Sequence, residues 1–122
     1  MTLTFGNKVP IYLQVAQMIR DAIMSGDLRE GEAIPSVRQI SVEQGLNPQT
    51  VLNATRLLVD EGILEKRRGV GIFVKAGGRK ALMALELDRF KGNDLPALVK
   101  RAQLLGLSSR AAVKLVKAQF EE

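Results

Sequence analysis

Two clusters of side chains are spaced so that they could do chemistry: Asn47-Pro48-Gln49-Thr50 with Asn53 one helical turn later, and Lys66-Arg67-Arg68-Gly69. The first offers amides and a hydroxyl, which donate and accept hydrogen bonds; the second offers fixed positive charge. Arg38, upstream of both, adds a planar donor suited to oxyanions. This is the chemistry of recognition. Catalysis has little to draw on, because the 122 residues include no cysteine and no histidine. That removes the thiolate nucleophile, the usual transition-metal ligands and the commonest general base. Glu43, Asp60, Glu61 and Glu65 lack the spacing of a paired-carboxylate centre. No enzyme activity, no cofactor and no metal are expected.

The length suits one ordinary domain, or a small domain with a helical appendage, and a hydrophobic fraction of 46% is enough for a core. A cysteine-free chain gives no reason to expect an oxidising compartment. Met1 to Asn7 lacks a basic start and an apolar run, and no segment approaches the ~20 apolar residues of a membrane span. A cytoplasmic location with no membrane partner is expected. The net charge of +5 favours a polyanionic partner, but it is unevenly placed: nine basic and eight acidic residues up to Gly78, nine and five beyond it. The spacing of particular residues therefore says more about a partner than the bulk charge does.

The elements that would position these groups can be read from periodicity. Ile11, Val15, Met18, Ile19, Ala22 and Ile23 have helical spacing, with Pro10 suited to the first turn and Ser25-Gly26-Asp27 as the stop. Leu28 to Ile34 is a polar link whose apolar ends either tuck back or make a short strand. Ser36 can cap a second helix, with Gln39 completing a capping box, and that helix ends at Gln44-Gly45. Asn47-Pro48 is a cap followed by the residue favoured at the first helical position. Val51, Ala54, Leu57 and Leu58 then form a buried stripe up to Gly62. Ile63 to Arg67 and Val70 to Val74 flank Arg68-Gly69 as a hairpin with a basic tip, Gly71 marking a bulge or a close approach of backbone to a ligand. Lys75 to Gly78 reads as a flexible joint, and Ala81 to Phe90 as helix with Leu82, Leu85 and Phe90 on one side. Gly92-Asn93-Asp94 is expected to interrupt it, Asp94 capping Leu95 to Leu105. Ser108 caps a last helix from Ser109 to about Phe120, the last two pairing as an αα-hairpin.

Helix, helix, Gly-containing turn, helix and hairpin is the order of a helix-turn-helix unit, whose second helix can enter the major groove of a DNA duplex by its N-terminal residues. Here those residues are Asn47, Pro48, Gln49 and Thr50, with Asn53 one turn on. Asn and Gln can bond adenine at two points, and Thr can bond a base or a phosphate or touch the thymine methyl. Bland roles compete with each. Asn47 serves as a cap, Gly69 as a turn requirement, and Lys66-Arg67-Arg68 as guards of an exposed strand edge. The tail stripe of Leu98, Ala102, Leu105, Val113 and Val116 has no partner within so short a segment. A second copy of the chain is the simplest cover.

The ordered set Pro10-Ile11-Tyr12, Ser25-Gly26, Gly31, Ile34-Pro35-Ser36-Val37-Arg38, Gly45-Leu46-Asn47-Pro48, Thr50-Val51, Asp60-Glu61-Gly62 and Arg68-Gly69-Val70-Gly71-Ile72-Phe73-Val74 resembles the GntR-type bacterial transcription regulators, most closely their short YtrA-like branch. The resemblance runs from about residue 9 to 75. It implies a mainly α chain with a small β-hairpin wing: a winged helix-turn-helix over residues 1–76, and a short helical dimerisation region over 77–122. It also implies a homodimer on a palindromic operator. Arg38 would contact DNA from the second helix, Gln49 and Thr50 would lie on the reading face, and Arg68-Gly69 would be the wing tip at the minor groove. Ser36, Arg38, Asn47, Pro48, Gln49, Thr50, Asn53, Arg67, Arg68 and Gly69 make up the expected DNA-binding set, and Leu98, Ala102, Leu105, Val113 and Val116 the dimerisation set. Two positions depart from the family pattern: Asn53 stands where a basic residue is expected and Thr55 where an aromatic is. A repressor is the simpler regulator, since occupying an operator needs no activation surface and none is evident. The rival reading is a protein-docking module, and the sequence names no small-molecule effector.

Overall fold

The computed structural model describes residues 9–121; the reading of Met1 to Asn7 lies outside them. Six helices and one hairpin follow in order: α1 (Ile11–Ser25), α2 (Val37–Gln44), α3 (Pro48–Asp60), β1 (Leu64–Arg67), β2 (Gly71–Val74), α4 (Gly78–Arg89), a π-helical turn (Phe90–Asp94), α5 (Leu95–Leu104) and α6 (Ser109–Phe120). The chain divides by packing into two compact units, and the division falls inside α4, between Ala84 and Leu85.

In the first unit, α1 turns Val15, Ala16, Ile19 and Ile23 onto Val51, Ala54 and Leu58 of α3, all fully buried. Pro10 sits just outside α1 with ψ 142°, as its cap rather than in its first turn. At the other end, Gly62 takes φ +78°, which a glycine adopts at little steric cost. Its N–H donates to the Val59 carbonyl and that of Ile63 to the Leu58 carbonyl, both at 3.0 Å, so α3 stops and Ile63 turns into the core. Thr55 is also buried. Its hydroxyl donates to the Leu52 carbonyl at 3.0 Å, which satisfies a polar group where apolar packing was expected.

The hairpin pairs Leu64 with Val74, Glu65 with Phe73, Lys66 with Ile72 and Arg67 with Gly71, so Leu64 and Val74 face the core. Its strands start one residue later than the periodicity predicts. The polar link does both: Leu28 packs against the core and Ile34 is buried in it, while the Val74 N–H donates to the Glu32 carbonyl at 2.9 Å, the Ile34 N–H to the Ile72 carbonyl at 2.9 Å, and Ala33 makes an isolated bridge to Phe73. β2 is thus paired along both edges. The expected joint after it is tied down, since the Lys75 N–H donates to the Ile63 carbonyl at 3.0 Å. A Cβ at Gly78 would meet that carbonyl oxygen at 2.7 Å, so only glycine lets α4 start there. Leu82 then enters the core, and Arg79 donates to the Ile23 and Met24 carbonyls at 3.3 and 2.9 Å, where α1 ends.

In the second unit the expected break at Gly92-Asn93-Asp94 is absent. These residues stay helical as a π turn, and Asp94, at φ −68° and ψ −45°, caps nothing. Pro96 gives the physical reason: it has no N–H for the Gly92 carbonyl, and its ring would crowd that oxygen in a regular α-turn. Widening the turn relieves both, with the Leu95 N–H reaching back to Phe90. Gly106 at φ +76° ends α5, and Ser108 caps α6 by accepting from the Ala111 N–H at 3.1 Å. The αα-hairpin is looser than expected: rather than interdigitate, α5 and α6 line an apolar groove of about 490 Å³. No described residue of the π turn, α5 or α6 is buried.

Candidate nucleic-acid interface

Local hydrogen bonds fix both entry points of the helix pair. The Gln39 N–H donates to Ser36 Oγ at 3.1 Å while the Ser36 N–H donates to Gln39 Oε1 at 2.8 Å, a complete capping box that starts α2. Arg38 leaves its first turn exposed; its carbonyl accepts the Ser41 hydroxyl at 3.0 Å, while its guanidinium has no hydrogen-bond or ion-pair partner among the described residues. Asn47 Oδ1 accepts the Gln49 N–H at 2.8 Å, so its acceptor is committed to starting α3. Asn47, Pro48, Gln49 and Asn53 are exposed and Thr50 half-buried; by helical spacing Gln49 and Asn53 lie on the side of α3 away from the stripe of Val51, Ala54 and Leu58. Gln49 Nε2 donates to Asn53 Oδ1 at 3.0 Å.

One further residue belongs beside these and was not singled out from the sequence. Arg56 follows Gln49 and Asn53 at helical spacing on the outer face of α3, exposed and without a described partner. Its spacing of seven from Gln49 is the signal that could have found it. With Lys66 it borders a cleft of about 100 Å³ between α3 and the hairpin, whose floor includes Thr55 and Ile72.

In the hairpin, Val70 N–H donates to the Arg67 carbonyl at 2.9 Å across a tight turn, and Gly69 has φ +75°, as the third position of a type II turn demands. Gly71 carries φ +146° and has no side chain between Arg67 opposite and Phe73 beyond. Arg67 lies with its guanidinium 4.1 Å from the Phe73 ring centroid and 3.8 Å from Glu65 Oε2. The ring face attracts the cation and limits its freedom. Arg68, at the tip, has no partner among the described residues. The arrangement brings polar and cationic groups to the outer face of α3 and to the hairpin tip, and no helix among the described residues is long and apolar enough to cross a membrane.

Of the tail set, Leu98, Ala102, Val113 and Val116 line the groove between α5 and α6. Leu105 lies outside it, 63% exposed.

Residues 11–74, which span α1 to the end of the hairpin, match the family of bacterial regulatory proteins, gntR family. The chain is 32% identical over 118 residues to the HTH-type transcriptional regulator YhcF of Bacillus subtilis (strain 168), covering 96% of this chain and 95% of that one. It is 30% identical over 101 residues to the HTH-type transcriptional repressor YtrA of the same organism, covering 83% and 77%. A GntR family transcriptional regulator from Listeria monocytogenes superposes with a TM-score of 0.80 at 25% identity, over 93% of this chain and 98% of that one. AraR(DBD), solved in complex with an operator, superposes with a TM-score of 0.57 at 26% identity, over 61% and 95%. The winged fold, the family match over residues 11–74 and a relative covered over 95% of its own length agree: the chain belongs to the gntR family of bacterial regulatory proteins, as a DNA-binding helix-turn-helix transcriptional regulator and not an enzyme.

Proposed function

We propose that the chain is a cytoplasmic repressor that binds a palindromic operator as a homodimer, reading bases with the first two turns of α3 and gripping phosphates with Arg38, Arg67 and Arg68. One observation carries the reading: α3 buries Val51, Ala54 and Leu58 completely while its opposite face presents Gln49, Asn53 and Arg56 to solvent. A helix fixed so firmly on one side and so polar on the other is built to meet a groove. The repressor YtrA supports the sign of regulation. The unburied apolar faces of α5 and α6 support a second copy as partner.

Selection of bound sequences from a random duplex pool tests this, with an inverted repeat as the expected product. A pool that stays unenriched while the chain captures another protein would instead make it a docking module. Within that experiment Gln49→Ala is expected to relax preference at one position of each half-site by ~1–3 kcal/mol, leaving affinity for random DNA nearly unchanged. Asn47→Ala is the control, expected to lower folding stability by ~1 kcal/mol and to disturb binding only through the lost cap.

The wing has a different signature. Arg68→Ala is expected to weaken binding to every duplex alike and to reduce the salt dependence by roughly one ion per lost phosphate contact, measured by anisotropy titrations across salt concentrations. If affinity and slope both hold, the wing cations are strand guards and not DNA contacts.

A further inference from the structure

We propose that Asn53 is a positioning residue, which holds the Gln49 side-chain amide in the orientation a base edge requires; the inference rests on α3 being the DNA-reading helix. Asn53 lies one helical turn after Gln49, and its Oδ1 accepts the Gln49 Nε2–H at 3.0 Å. Both side chains are exposed, and no other described group competes for the Gln49 amide or for Asn53.

The chemistry of the amide makes that bond useful. Gln49 has one carbonyl oxygen and two N–H bonds. Spending one N–H on Asn53 leaves Oε1 and the second N–H, the acceptor and donor that match the N6 amine and N7 of adenine. A free glutamine samples many rotamers and must surrender them on binding. Tethered one turn along its own helix, it has fewer to lose. The same bond contributes little to the fold, because an exposed pair at this spacing stabilises a helix only slightly. Arg56, one turn further along the same outer face, is exposed and adds a cation there.

The test uses the full chain in selection from a random duplex pool, with the parent, Gln49→Ala, Asn53→Ala and Asn53→Asp. Asn53→Asp keeps an acceptor for the Gln49 N–H but adds a negative charge near the phosphates. Asn53→Ala is expected to melt like the parent and to flatten base preference at the same position of each half-site as Gln49→Ala. There, discrimination should fall from roughly ten-fold to about two-fold. Asn53→Asp is expected to restore that preference while lowering affinity for all sequences several-fold. The proposal is overturned if Asn53→Ala keeps the parental profile, if it flattens a different position, or if Asn53→Asp loses the preference as Asn53→Ala does. A parental chain that enriches no sequence overturns the DNA-reading role of α3 itself, a result distinct from any of these.

Discussion

Val113→Glu with Val116→Glu is expected to yield a folded monomer whose affinity for a two-half-site operator falls by roughly 10²–10⁴-fold, while its affinity for a single half-site barely changes. The first unit holds the whole buried core, and none of the described residues of α5 and α6 is buried. Both valines are about half exposed in the single chain, at 51% and 39%, and neither belongs to the buried core, so charging them costs the chain little of its own packing. What it does remove is an apolar wall of the groove that Leu98 and Ala102 share. Two carboxylates there, doubled in a symmetric pair, would have to be desolvated against an apolar surface with Lys117 as the one cation among the described residues of the groove's lining. Once the two reading helices are no longer joined, the second half-site is bound from bulk solution instead of at a high local concentration. Sedimentation equilibrium and anisotropy on one-site and two-site duplexes read the two effects separately. A variant that still sediments as a dimer places the interface elsewhere.

Glu61→Ala is expected to cost about 3 kcal/mol of folding stability, the largest single loss outside the apolar core. Arg20 is nearly buried on α1, and its guanidinium donates to Glu61 at 2.6 Å, just past the end of α3, and to Gln17 Oε1 at 3.2 Å. Removing the carboxylate takes from a largely buried guanidinium the counter-charge 2.6 Å away, which costs more than the attraction of an exposed pair is worth. Glu61→Gln, which keeps an acceptor, should lose about half as much. Glu65→Ala is the comparison, since its pair with Arg67 is nearly half exposed on both sides and the change should fall within about 0.5 kcal/mol. Urea unfolding of the three variants orders them, and equal losses would show that the Arg20 pair contributes no more than a surface contact.

The helix starts were legible because each carries its own local chemistry. Ser36, Asn47 and Ser108 cap in the structure as their residue types require, and Gly26, Gly62 and Gly106 stop helices through positive φ. What stayed hidden depends on distant partners. The link through Ala33 leaves two readings open in the sequence, and its bridge to Phe73 forms because β2 has an edge to offer. Arg20 looks like any helix charge until Glu61, far along the chain, meets it. Asn53 read as a lost cation, because an amide's value lies in the neighbour it bonds. Gly92 and Asp94 carried the signs of a stop, yet Pro96 downstream could be accommodated by one wide turn instead. The tail's lack of interior packing could be suspected from length alone, but the open groove between its helices could not.

The double pairing of β2 has a kinetic meaning. Residues 32–34 close onto residues 72–74, so α2, α3 and the wing all lie within one chain loop fastened at its base. Detaching the hairpin would free that clasp as well as its own ladder. Reading helix and wing should therefore exchange their backbone hydrogens with solvent as a single cooperative unit, neither fraying ahead of the other, and meet the duplex as one rigid piece.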